Sequence, residues 1–254
     1  MERNDVDNGR AFDFGRTAAA YAAYRDIYPK TLYDRLRSLG VAADGTAWLD
    51  LGTGTGVLPK NLYNPNAEIV GADISPEQIA YARAEAAACG RRIRYIVSPA
   101  ESTGLPDRAF NAVTAAQCFF YFDRDAMIPE LRRLLKPGGL FVKIFMDWDE
   151  SDPIVGASCA LVRRFNPDWR SGETAAADMY DDLFPGRVTE TFAAELPFTG
   201  ESWHGRMLAC RGVMASMDGE TLRAWTEAHL RLLRDAPERF TVRHAVYLSR
   251  FIIT

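Results

Sequence analysis

The residue types that most often hold metals are sparse in this chain: three histidines and four cysteines, well scattered. Cys89, Cys118, Cys159 and Cys210 form no CxxC pair, so neither a structural zinc site nor a disulfide framework is implied, and no metal is expected. A long apolar run is also missing. The longest, around residues 140–146 and 251–253, are strand-sized and far short of the ~20 residues that cross a bilayer. The start, Met1-Glu2-Arg3-Asn4-Asp5, is polar and lacks the apolar core of a signal peptide. A membrane partner is therefore not expected, and the reducing cytoplasm is the expected location. Nor is there a basic run: 30 Lys and Arg against 34 Asp and Glu leave a net charge of −4. Proteins that live on phosphate contacts concentrate positive charge, so nucleic acid is not expected as the partner.

What the chain does have is a balanced globular composition, 48% hydrophobic and 25% charged over 254 residues. That suits one domain with a full core, or one domain carrying a sizeable insertion. From residue 46, short apolar runs alternate with helical stretches, the signature of βαβ units. Ala47-Trp48-Leu49-Asp50-Leu51 reads as a buried first strand, and residues 68–73, 93–97 and 112–115 as the next three. Ser75 can cap a helix, Pro76 fits its first position and Gln78 completes a capping box, with a stop near Gly90. Ile128, Leu131, Leu134 and Leu135 give a helix over residues 127–135. Lys136-Pro137-Gly138-Gly139 then turns the chain into a fifth strand over residues 140–146, where Lys143 is expected to snorkel out at the sheet edge. Residues 188–196 and 241–253 read as two further strands bracketing helices at 203–217 and 221–233. The expected fold is α/β: a Rossmann-like, doubly wound, mostly parallel seven-stranded sheet, with a C-terminal antiparallel edge hairpin and a helical cap.

The cluster that carries chemistry is Asp50-Leu51-Gly52-Thr53-Gly54-Thr55-Gly56. Glycines just past a first strand let the chain turn sharply and let a ligand lie against bare backbone, with helix N-terminal amides pointing at it. The spacing is G-x-G-x-G, unlike the G-x-G-x-x-G of dinucleotide folds, and no Lys-Ser/Thr follows as a P-loop needs. Asp50 ends the first strand, where its carboxylate can engage a cationic ligand amine. Asp73 ends the second, about where a doubly wound fold places an acid for ribose hydroxyls.

These residues carry a resemblance. Trp48-Leu49-Asp50-Leu51-Gly52-Thr53-Gly54-Thr55-Gly56 resembles the first motif of class I S-adenosylmethionine-dependent methyltransferases. Gly71-Ala72-Asp73-Ile74-Ser75-Pro76-Glu77-Gln78 resembles their second segment, and Ser98-Pro99-Ala100-Glu101-Ser102 the stretch that reaches the adenine. Leu134-Leu135-Lys136-Pro137-Gly138-Gly139 resembles their turn into the fifth strand. Upstream, Tyr21, Tyr24, Arg25, Tyr28 and Pro29 resemble the N-terminal segment of small-molecule methyltransferases related to the trans-aconitate and ubiquinone-pathway enzymes. The resemblance implies S-adenosyl-L-methionine as cofactor. It assigns Gly52, Gly54 and Gly56 to the methionine moiety, Asp73 to the ribose and Ile74 to the adenine face. It puts Ala100 and Glu101 at the adenine edge and Gln117, just after the fourth strand, within reach of the cofactor. Tyr21, Tyr24 and Arg25 are expected to close over it. One departure is Asn111, where the family usually has Asp; its amide can still hydrogen-bond.

The acceptor side is thinner. Methyl transfer is an in-line displacement that depends on alignment, with a base only if the nucleophile must lose a proton. The Asp/Asn-Pro-Pro-aromatic motif of exocyclic-amine methylation is missing: the stretch after the fourth strand reads Gln117-Cys118-Phe119-Phe120-Tyr121-Phe122. His204, beside Trp203 and two residues before Arg206, is the candidate base, and Tyr24 a second catalytic candidate. The expectation is one domain over residues 1–254, with a cofactor-binding core at 46–146. An N-terminal cap segment at 1–30 and acceptor-side insertions at 147–185 and 202–235 complete it. The expected reaction methylates a small molecule. The rival readings are a catalytically inactive cofactor-binding regulatory or scaffold protein and a nicotinamide-dependent dehydrogenase.

Overall fold

Trp48, Leu49 and Leu51 lie fully buried in β1 (Ala47–Leu51) because parallel neighbours flank it on both sides. These are β2 (Glu68–Asp73) and β4 (Phe110–Ala116), and a strand enclosed in this way reads as an unbroken apolar run. The computed structural model describes residues 7, 13–17, 23–24, 28–170 and 182–253. The sheet has seven strands in the order β3-β2-β1-β4-β5-β7-β6, where β3 is Arg94–Val97, β5 Leu135–Trp148, β6 Val188–Phe198 and β7 Phe240–Ile252. The first five run parallel, and β5, β7 and β6 make the antiparallel edge. Gly138 N–H donates to Ile253 O and Asp149 N–H to Arg243 O, pairings that climb β5 while descending β7. β5 is longer than its apolar run suggests, because Leu135 already pairs with Phe110 and the register then shifts across the Pro-Gly-Gly residues. No helix of the described residues is long and apolar enough to cross a membrane.

The chain divides into two units. The first comprises residues 28–145, 174–192 and 246–254. Its helices are α1 (Lys30–Ser38), α2 (Val57–Asn61), α3 (Pro76–Ala88) and α4 (Arg124–Leu134). α1 buries Leu32, Tyr33 and Leu36, and α4 buries Met127, Leu131 and Leu134, the one-face spacing of amphipathic helices. Each such apolar side chain contributes about 1.5–3 kcal/mol by leaving water. Ser75 Oγ accepts from Gln78 N–H, so the cap of α3 forms, but the box does not close. The backbone N–H of Ser75 goes to Asp73 Oδ1 instead, which binds it more strongly as a charged acceptor. Asn111 accepts from Ala47 N–H and from Lys136, filling the place of the expected Asp. Lys143 does not reach an edge. It is fully buried on β5, with its ammonium over the rings of Phe119 and Phe251, because β7 covers the strand that would otherwise be outermost.

The second unit comprises residues 1–27, 146–173 and 193–245. Its helices α5 (Pro153–Phe165), α6 (Gly200–Leu208) and α7 (Gly219–Leu233) enclose Trp148, Trp203, Trp225, Val162, Met207 and Val242. Thr199 and Ser202 close a capping box that starts α6 earlier than its apolar pattern does. α6 also stops earlier, at Leu208, and residues 209–217 continue as turns. Gly212 lies there against Trp169, where a Cβ would meet the indole at 2.3 Å. Asp152 Oδ1 caps α5 by accepting from Ile154 and Val155 N–H at 2.9 and 3.1 Å. Asp152→Ala should cost about 1 kcal/mol of stability in urea denaturation; an unchanged midpoint would mean that water replaces the cap without loss.

Candidate active site

Below the glycine turn lies Asp50, only 2% exposed. Its Oδ1 accepts from Thr114 Oγ1 at 2.6 Å and its Oδ2 from Thr53 Oγ1 at 2.8 Å. Thr114 in turn accepts from Trp48 Nε1, so an indole, two hydroxyls and a carboxylate tie β1 to β4 and to the turn. Burial pushes Asp50 up to about 7, against the lowering effect of the two hydroxyls, and the charge of Asp73 adds to the rise. The carboxylate expected to meet a ligand amine therefore spends both oxygens inside the protein.

The turn itself runs through Gly52, Gly54 and Gly56 at φ +60°, +57° and +79°, a left-handed conformation that only glycine adopts without strain. Two of these positions are also sterically closed. A Cβ on Gly52 would meet Cys118 Sγ at 2.6 Å, and one on Gly56 would meet Tyr95 Oη at 2.3 Å. The bare backbone expected for a ligand is thus partly covered by the protein's own side chains. Tyr95 escaped the sequence reading, as did the packing of Cys118 against Gly52. The available signal was Gly71 inside β2, since a glycine within a strand marks a close approach, and a Cβ there would meet Tyr95 at 2.6 Å.

At the end of β2 the Asp73 carboxylate is part-exposed and clasped by backbone: Oδ2 accepts from Gly54 N–H at 2.8 Å and Oδ1 from Ser75 N–H at 2.9 Å. Burial raises its pKa and these amides oppose the rise. Ile74 follows with 62% of its surface exposed, a large apolar side chain left uncovered beside an acid. Ala100 is buried, and Glu101 Oε1 accepts from Asp123 N–H ahead of α4. Gln117 sits at φ +60° just past β4, its N–H donated to Ile144 O. A non-glycine residue in that region costs of order 1 kcal/mol and often marks a functional site. Tyr21 and Arg25 lie outside the described residues.

Residues 49–143 match a family model described as a methyltransferase domain. The chain's seven-stranded, mostly parallel sheet with helices is of the Rossmann-like type. The chain is 45% identical over 97 residues to a demethylmenaquinone methyltransferase of Thermus thermophilus, covering 37% of this chain and 44% of that one. With an uncharacterized methyltransferase of Mycobacterium bovis it shares 32% identity over 146 residues, 58% and 56% of the two chains. A solved structure of a provisional type II methyltransferase from Anaeromyxobacter dehalogenans superposes with a TM-score of 0.60 at 26% identity, covering 89% and 97%. The chain spans about half the length of the curated relatives it matches.

Outside residues 49–143, the second unit holds His204, Tyr24 and Arg206 on or against α6. Tyr24 packs its ring on Gly205, where a Cβ would meet it at 2.3 Å. Arg206 is buried, with its guanidinium 4.6 Å over the Trp148 ring. His204 stacks on Trp225 and pairs Nδ1 to Nδ1 with His229 at 2.8 Å; burial lowers its pKa. Among the described residues no three His, Cys, Asp or Glu side chains gather as a metal site would.

Asp50 yields a test. Its pKa is raised in the fold from an ordinary 3.8 to about 7, so its stabilising effect is full below pH 3.8 and lost as pH rises through 7. Relative to Asp50→Asn, the wild type should lose stability between pH 4 and 7 and hold level above. A constant difference across that window would show that Asp50 titrates in the ordinary carboxylate range.

Proposed function

We propose that the protein transfers a methyl group from S-adenosylmethionine to a small-molecule acceptor and releases S-adenosylhomocysteine. The observation that carries this reading is the Asp73 carboxylate, fixed by Gly54 N–H across the glycine turn and still part-exposed. Each carboxylate oxygen accepts more than one hydrogen bond, so a backbone-clasped Asp73 retains capacity for a ribose diol. Exposed Ile74 beside it suits the face of an adenine ring, and the strained Gln117 stands at the end of β4, where doubly wound sheets bind ligands. The residues present fit the cofactor.

When bound, S-adenosylmethionine supplies an electrophilic sulfonium methyl group. In this reading Gly52, Gly54 and Gly56 shape the turn around the methionine moiety, and Asp50 braces that turn from below. Ala100 and Glu101 border the adenine, and Tyr21, Tyr24 and Arg25 belong to a segment that excludes water. His204 is the proposed base for an acceptor that must lose a proton, with Tyr24 as its catalytic companion. The match to the Thermus thermophilus enzyme covers fewer than half of the residues of either chain.

Calorimetry should show S-adenosylmethionine and S-adenosylhomocysteine binding while NAD does not, which separates this reading from a dehydrogenase. A tritium-methyl transfer screen over small acceptors separates it from an inactive scaffold. Asp73→Ala should weaken S-adenosylmethionine at least tenfold, about 1.4 kcal/mol, in a protein whose circular dichroism is unchanged. Equal affinity in that folded variant would remove Asp73 from the site.

A further inference from the structure

Ser158, on α5, is the fixed point of a hydrogen-bond chain buried in the second unit. Its Oγ lies 2.7 Å from Ile154 O, one turn earlier. A carbonyl only accepts, so the single hydroxyl proton of Ser158 goes there. Trp203 Nε1, which only donates, lies 3.0 Å from the same oxygen. His229 Nε2, on α7, is also 3.0 Å away. With the serine proton already placed, His229 Nε2 must be the donor in that contact. Neutral His229 therefore carries its proton on Nε2 and a lone pair on Nδ1. Facing that lone pair at 2.8 Å is His204 Nδ1, which must then donate.

We propose that His229, backed by Ser158, is a positioning residue that holds His204 in the Nδ1–H tautomer and leaves Nε2 as its unprotonated, proton-accepting nitrogen. The arrangement is rigid as well as directional. Trp225 stacks on both imidazoles, at 5.5 Å from His204 and 4.7 Å from His229, and His229 and Ser158 are wholly buried. Burial and the neighbouring His204 depress the pKa of His229 to about 3, so the acceptor end of the pair stays neutral at physiological pH. The use of Nε2 as a base rests on the function proposed above; the tautomer does not. In that use the acceptor's proton bonds to Nε2 and its bonding electrons stay on the acceptor as the nucleophile. His204 becomes an imidazolium that keeps its Nδ1–H on His229. The principle is that of any histidine whose second nitrogen is set by the partner of the first.

Nitrogen-15 spectra of histidine-labelled protein at neutral pH test this directly, with His204 and His229 assigned from His204→Gln and His229→Gln. The expected result is opposite tautomers: His204 protonated on Nδ1 and His229 on Nε2. In His229→Gln the amide oxygen accepts from His204 and the amide nitrogen donates to Ser158, so His204 should keep its tautomer. His229→Phe keeps the stacking and removes both bonds, so His204 should move toward the Nε2–H form. A wild-type His204 protonated on Nε2 overturns the proposal without any variant, as does a His204 signal that ignores His229→Phe in a folded protein. Turnover, measured with S-adenosylmethionine and an acceptor found by the tritium screen, should fall at least tenfold in His229→Phe and be largely rescued in His229→Gln. Full turnover in His204→Gln, with the tautomers as inferred, would sink the base role while the positioning of the ring stands.

Discussion

A carboxylate almost without solvent, Asp50, governs the geometry of the glycine turn. Two threonine hydroxyls hold it, one on the neighbouring strand and one within the turn, so the end of β1, the end of β4 and the turn share one anchor. Removing one partner from such a buried set leaves the others unsatisfied, at about 1–3 kcal/mol for each polar group. The turn then holds Asp73 through Gly54, and Asp73 holds the start of α3 through Ser75. Three elements are thus placed by one chain of contacts that begins below the surface and ends at a part-exposed acid.

The parallel half of the sheet and the acid at the end of β2 were legible in the sequence because their signals are local. Strand ends, glycine spacing and a capping serine all lie within a few residues of what they determine. The occupants of the glycine positions were not legible. Tyr95 fills space against Gly56 and Gly71 and Cys118 against Gly52, partners that stand some twenty-five to seventy residues away in the chain. The burial of Asp50 was not legible for a related reason: a strand-end carboxylate looks exposed until Thr114 on another strand takes one of its oxygens. Lys143 was misread because an edge had been assumed where β7 in fact covers β5.

In the second unit, pattern reading found α6 and α7 but mistook the ends of α6. α6 begins at a capping box and stops where Gly212 has to admit the Trp169 ring, features invisible to an apolar periodicity. His204 stood out as a rare residue type beside Trp203; His229, equally rare, did not, although it follows Trp225 by one helical turn on α7. Sequence neighbours pointed to one histidine, while the spacing that gives it direction needed the partner helix.

The seat that Gly205 offers to Tyr24 has a consequence for the order in which the chain acquires its structure. Asp7 pairs with Arg211 across 204 residues of sequence, Arg16 reaches Met217 O across 201, and Asp13 N–H reaches Ala215 O. Together with Tyr24 on Gly205, every one of these contacts ends in the short stretch from 205 to 217. Contacts of such separation carry the highest loop-closure cost among the described residues and form late. During synthesis Asp7, Asp13, Arg16 and Tyr24 leave the ribosome roughly 180–200 residues before the stretch that seats them, and at about 5–20 residues per second they wait on the order of ten seconds or more. Residues made that far ahead of their seat settle only after it exists.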